Sequence, residues 1–153
     1  MVEVTPWEYA GASPGPSQLA IYTLDDSGNL STSSTSQNMV TSQFAPAYYQ
    51  FSPDGRYPAG AGAAGLQVFA WDSASLTLTS IAAIGSGGTC TSSGCSGPAF
   101  GNIAWDENDQ LYTILGQQLL VYDVGPSGVT PAPGSPYPVQ NPVWVTVLPE
   151  NSH

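Results

Sequence analysis

The strongest constraint in this chain is a strand pattern stated three times: Leu19-Ala20-Ile21-Tyr22-Thr23-Leu24-Asp25, Leu66-Gln67-Val68-Phe69-Ala70-Trp71-Asp72 and Leu119-Leu120-Val121-Tyr122-Asp123-Val124. In each copy a Leu is followed two places on by a β-branched residue and then by an aromatic. An apolar period near two, carried by such side chains, marks a half-buried strand. The copies open at Leu19, Leu66 and Leu119, offsets of 47 and 53 residues. That is close to the roughly 40–50 residues of one propeller blade.

What surrounds these strands recurs as well. Each is followed by a polar turn, Asp25-Asp26-Ser27-Gly28-Asn29, Asp72-Ser73-Ala74-Ser75 or Gly125-Pro126-Ser127-Gly128, and then by a short strand around Leu30, Leu78 or Val129. Upstream lies an apolar strand closed by a turn: Tyr48-Tyr49-Gln50-Phe51 before Ser52-Pro53-Asp54-Gly55, Asn102-Ile103-Ala104-Trp105 before Asp106-Glu107-Asn108-Asp109, and Val145-Thr146-Val147-Leu148 before Pro149-Glu150-Asn151. Asp, Asn, Gly and Pro set turn dihedrals or cap them through side-chain hydrogen bonds. With the strands at Tyr57 and Leu111 added, each unit reads as four antiparallel strands, positions A to D, which is one blade.

The expected fold is therefore all-β, with propeller-type four-stranded antiparallel blades and about three blade equivalents in a single segment, 1–153. Two blades are whole, 46–84 and 99–134, and a third is split into 7–35 plus 143–148. In the split blade Trp7-Glu8-Tyr9-Ala10 takes position B and the C-terminal strand supplies position A. Gly (17) and Pro (14) recur too often for long helices. Closed propellers have about 4–8 blades, so three leave apolar faces and strand edges uncovered. Completion is expected by self-association, most simply a two-fold dimer, or by the remainder of a longer chain. A rearranged sandwich of the same strands is the alternative.

Composition narrows the partners. Eleven acidic residues against one basic residue, Arg56, give a net charge of −10, yet only 8% of residues are charged. Without Lys or a second Arg no phosphate-binding patch can be assembled, which excludes nucleic acid, and an acidic chain is repelled by anionic membrane surfaces. No stretch approaches the roughly 20 apolar residues that span a bilayer. The N-terminus lacks the basic start and apolar run of a signal peptide, so an exported protein of this sequence is expected to be a mature chain or an excised domain. Cys90 and Cys95 flank a Gly/Ser-rich loop and are expected to form a local disulfide, which places the chain in an oxidising compartment, secreted, periplasmic or at the cell surface. The alternative is two free thiols in the cytosol.

The segments Phe51-Ser52-Pro53-Asp54-Gly55-Arg56-Tyr57, Leu66–Asp72 and Val129-Thr130-Pro131-Ala132-Pro133-Gly134-Ser135-Pro136-Tyr137-Pro138 resemble the lactonase-type seven-bladed β-propellers, which include 6-phosphogluconolactonase-like and carboxymuconate-cyclase-like proteins. The resemblance implies a propeller fold, a bacterial exported protein and, where activity exists, lactone hydrolysis or isomerisation with Arg and His at the ring centre. Here the sole Arg lies in a turn-to-strand segment and the sole His is the terminal His153, so no catalytic residue transfers.

Other motifs read as structure. Gly60-Ala61-Gly62-Ala63-Ala64-Gly65 has the dinucleotide-binding form but leads into a strand rather than a helix. Gly11-Ala12-Ser13-Pro14-Gly15 has the form of a nucleophile elbow, with no helix after it and no second His as base. The acidic turns at Asp25 and Asp106 lack the spacing of a calcium loop. No catalytic residue, cofactor or metal site is expected. Phe51, Trp105 and Leu148 at position A, and Tyr22, Phe69 and Tyr122 at position C, are expected in blade-to-blade packing. Trp7, Tyr9, Trp144 and Tyr137 are the candidate partner or ligand contacts. Three functions follow: a non-catalytic scaffold or binding module, a lactone hydrolase or isomerase, and a glycan-binding module using Trp7 or Trp144.

Overall fold

The computed structural model describes residues 2–4, 18–35, 37–91 and 94–148. The described residues are all-β, with no helix. The first unit is built from β1 (Val2–Val4), β2 (Gln18–Ala20), β3 (Thr23–Leu24), β4 (Leu30–Ser31) and β5 (Val40–Thr41). Its strands form one sheet in the order β1-β2-β5 and a separate β3-β4 hairpin. The second unit is a continuous antiparallel sheet of β6 (Ala45–Phe51), β7 (Pro58–Ala63), β8 (Gly65–Asp72) and β9 (Thr77–Gly85), in chain order. A small hairpin, β10 (Thr89–Thr91) and β11 (Gly94–Ser96), leads to the third unit. That unit is β12 (Phe100–Trp105), β13 (Gln110–Leu115), β14 (Gln118–Gly125) and β15 (Gly128–Pro131), with β16 (Tyr137–Pro138) added beside the start of β14.

The same local chemistry builds both whole units. After β6 the Ser52 N–H donates to Tyr57 O and the Gly55 N–H to Ser52 O, at 2.9 Å each, with Gly55 at φ 75°. After β12 the Asp106 N–H donates to Gln110 O at 3.1 Å, and Asp109 takes φ 60°. Each turn then hands its carbonyl to the third strand, Arg56 O to Trp71 N–H at 2.8 Å and Asp109 O to Val124 N–H at 3.3 Å. Turn carboxylates cap these bends. Asp106 Oδ1 accepts from the N–H groups of Asn108 and Gln110, and Asp25 Oδ1 from those of Ser27 and Asn29.

The apolar faces meet in two layers. Tyr57, Leu66, Val68, Phe100, Ile103, Trp105, Leu111, Tyr122 and Val124 fill the space between the second and third units. Leu19, Phe69 and Leu78, with Ile21, Val40 and Trp71 against them, join the first unit to the second. The second unit is thus packed on both sides. Its Gly60–Gly65 segment runs strand to strand: Gly60, Gly62 and Ala63 lie in β7 and Gly65 opens β8. A Cβ at Gly62 would press on the backbone of Ala45–Ala47, and one at Gly60 on the Tyr49 ring. Close sheet packing accounts for these glycines.

One expectation falls outside the described residues and another changes. The strand beside β2 is Val2–Val4, with Val2 opposite Ala20 and Val4 opposite Gln18. The sequence had put Trp7–Ala10 in that position; those residues lie outside the described ones, as does the 11–15 segment. Position-A side chains also differ in burial: Trp105 is 6% exposed, Phe51 39% and Leu148 82%. Trp105 is covered because the neighbouring unit supplies a strand beside it, and its Nε1–H donates to Gln50 O at 3.3 Å. Among the described residues no such strand stands beside Phe51. Tyr122 and Phe69, at position C, are buried as expected, whereas Tyr22, the third, is only part-buried.

Candidate binding surface

The candidate surface lies where β6, β12 and the segment 142–148 run side by side. Among the described residues that segment joins no sheet. Asn102, 4% exposed in the middle of β12, anchors it: the amide donates from Nδ2 to Val145 O at 2.7 Å and accepts the Val145 N–H on Oδ1 at 3.0 Å. A planar amide that satisfies both backbone groups of one residue imitates a ladder partner. Trp144 then stands edge-on to Tyr48, with ring centroids 6.1 Å apart and planes at 84°. The groove between these elements encloses about 570 Å³ and is lined by Tyr48, Gln50, Asn102, Ala104, Trp144 and Thr146 among others. Its lining carries no charged side chain.

The other sequence candidates lie elsewhere. Tyr137 belongs to β16, and its hydroxyl donates to Pro133 O at 2.8 Å. It edges a separate cleft of about 390 Å³ with Tyr112 and Leu119. Burial, reinforced by a hydrogen bond to the Asp106 carboxylate, pushes the Tyr112 hydroxyl up to about 12, so it stays a donor throughout the ordinary pH range. Cys90 and Cys95 face each other across the β10–β11 hairpin and are joined as a disulfide. This fits an oxidising, extracellular setting. Trp7 and Tyr9 lie outside the described residues; Trp144 and Tyr137 line separate clefts. Asn102 and Tyr48 were missed by sequence reasoning. A polar residue opening an apolar A strand was the available signal for Asn102; Tyr48 had none.

The charged groups are already engaged in turns. Arg56 reaches from the second unit to Asp109 of the third at 3.1 Å and also pairs with Asp54. Desolvation pushes the Asp54 carboxyl up, but hydrogen bonds from the Ser52 hydroxyl and the Arg56 N–H and guanidinium outweigh it and bring it to about 2. Desolvation and the nearby Asp54 charge raise Asp109. The single cation therefore staples two units at their A–B turns. Among the described residues no three His, Cys, Asp or Glu side chains gather to hold a metal ion.

Fold and surface together define a β-propeller-type chain of four-stranded blades. No family model matches it, and no curated protein matches it. It is similar to a protein from Lactobacillus plantarum known from its crystal structure, with 23% identity and a TM-score of 0.55 over 75% of this chain and 34% of that one. At this identity the likeness concerns the fold alone. The chain spans about a third of the length of that protein.

Proposed function

We propose that this chain is an exported, non-catalytic propeller module that works as a scaffold or binding unit and is completed by self-association or by the remainder of a longer chain. The observation that carries the reading is an uncovered inner surface: Val143 is 86% exposed, Trp144 66% and Leu148 82%, beside a half-covered Tyr48 and Phe51. Large apolar residues gathered on a strand that lacks a ladder mark an interaction surface. The groove offers aromatic rings and amides, which suit binding; general acid–base catalysis calls for a titratable group placed against a substrate, and the lining offers only tyrosines.

Light scattering on the purified protein tests the reading. A mass that is a multiple of 15.8 kDa supports it; a well-folded 15.8 kDa particle at every concentration ends it. Turnover of any member of a small lactone panel above background, with or without divalent cations, would replace it with the hydrolase reading.

A further inference from the structure

We propose that the cleft between the first and second units binds a neutral oligosaccharide, held by hydroxyl side chains along its walls with its C–H faces resting on Ile21, Val40 and Leu76. The proposal rests on the binding-unit reading above and gives it a ligand class and a place.

Three departures from the repeat meet at this cleft. The first is at position C. β8 runs unbroken from Gly65 to Asp72 with β9 paired along it, whereas β2 stops at Ala20. At the break the Ile21 N–H donates to Ser34 Oγ at 2.9 Å, and the Ile21 carbonyl accepts from the Thr32 hydroxyl. Side-chain hydroxyls thus stand in for a strand ladder, and the β3–β4 hairpin forms a sheet of its own. The second departure is Leu76. In the corresponding turns of the other units the positive φ falls on glycine, Gly28 at 85° and Gly128 at 121°; in the second unit it falls on Leu76, at 53°. A Cβ crowds its own backbone there, and Leu76 is 44% exposed, so core packing does not offset the strain. A bulky residue held in that conformation at the lip of a cleft marks a contact for something else.

The third departure is the chemistry of the walls. The cleft encloses about 570 Å³, and Thr23, Ser31, Ser33, Asn38 and Thr77 supply hydroxyl and amide groups to it. Among the described residues its lining carries no charged and no aromatic side chain. Thr23 and Ser31 share a hydrogen bond at 2.7 Å, which leaves each oxygen a free lone pair, and no described residue bonds the Ser33 hydroxyl. Covering such groups with an apolar ligand would leave them unpaired, at a cost. An ion finds no countercharge in the lining, and an anion also meets a chain carrying −10. A sugar ring supplies hydroxyls at its edge and C–H groups on its faces, which matches both parts of the lining. Leu19 and Leu78, at the base, belong to the buried layer that joins the two units, so both walls lie within this chain. Further blades stack on the faces of the first and third units that look away from the second, and ring completion by any route leaves the cleft in place. It opens past the Ala20 end of β2, the end remote from the Val4–Gln18 pair.

The test uses the whole chain, with maltohexaose, cellohexaose and laminarihexaose as probes. Each is titrated to about 10 mM, which reveals affinities down to the millimolar range, while backbone amides are followed by heteronuclear NMR. The amides of Thr23, Ser31, Ser33 and Thr77 should shift saturably with at least one probe. Leu76→Gly should fold with Tm little changed, because glycine accepts the positive φ while loosening the unfolded chain, and should raise Kd at least about fivefold through the lost aliphatic contact. Ser33→Ala leaves the hydrogen bonds of the fold in place and should raise Kd about fivefold as well. Binding that neither substitution weakens, or shifts confined to Tyr48, Asn102 and Trp144, overturns the cleft and leaves the binding-unit reading standing. Absence of any shift with all the probes overturns the cleft too, whereas the binding-unit reading falls on the light-scattering result alone.

Discussion

Replacing Leu111 with Ala probes the claim that the units are held together by repeat-equivalent packing. Leu111 is fully buried between the second and third units, in one cluster with Tyr57, Trp105 and Tyr122. The substitution removes three carbons from a site closed on one side by β7 and β8 and on the other by its own sheet, so collapse around the gap is limited. The transfer loss is about 2 kcal/mol, and the residual cavity adds ~1–2 kcal/mol. A total of about 3 kcal/mol corresponds to a drop of roughly 10 °C in Tm for a chain of this size. Urea unfolding followed by circular dichroism, at one protein concentration so that assembly is held fixed, measures the change. Leu24→Ala is the matched control, because Leu24 is 68% exposed in the β3–β4 hairpin, and it should cost less than about 0.5 kcal/mol. Equal losses at Leu111 and Leu24, or a loss under ~1 kcal/mol at Leu111, would refute the interlayer core.

Asn102→Ala deletes two hydrogen bonds at about 1 kcal/mol each, so the 142–148 segment should open roughly 30-fold more often and chymotrypsin should cleave at Trp144 faster by that factor; an unchanged rate removes Asn102 as its anchor. Replacing both Cys90 and Cys95 with Ser opens only a short hairpin loop and should cost about 2 kcal/mol, with the blade circular dichroism intact; loss of the whole fold would contradict a local role. Asp54, held at about 2, contributes stability that is present above its unfolded value near 3.8 and is lost as pH falls through about 2. Screening at this part-exposed site leaves about 1 kcal/mol of it. Asp109, which is raised, acts in the opposite sense. Asp54→Asn should therefore flatten the stability curve between about pH 4 and pH 2, and an identical acid limb in both proteins would show that the Asp54 contacts do not matter.

The two whole units were legible because local and long-range signals agree there. Leu66–Trp71 and Leu119–Val124 alternate with period two, and turns that need a positive φ fall on Gly55, Asp109 and Gly128. The first unit was harder to read. Its position-C strand, β2, ends at Ala20, where the Ile21 N–H turns to the Ser34 hydroxyl at 2.9 Å, and the strand beside it is a three-residue piece too short to show a period. The surface was legible only in Trp144. The grip of Asn102 on Val145 joins residues 43 positions apart through a main chain whose hydrogen bonding is independent of residue type, so no spacing records it. Exposure of Phe51 was hidden for a related reason: repeat equivalence assumes a neighbour on every side, and among the described residues Phe51 has none on one side.

Residue-resolved amide exchange across a concentration series tests the central claim most directly. The inner ladders of β7, β8, β13 and β14 should be the slowest to exchange at every concentration, while the Trp144 and Thr146 amides should exchange freely when dilute and become protected as the protein assembles. Fast exchange in β8 and β14, or Trp144 and Thr146 amides that stay unprotected in the assembled protein, would contradict it.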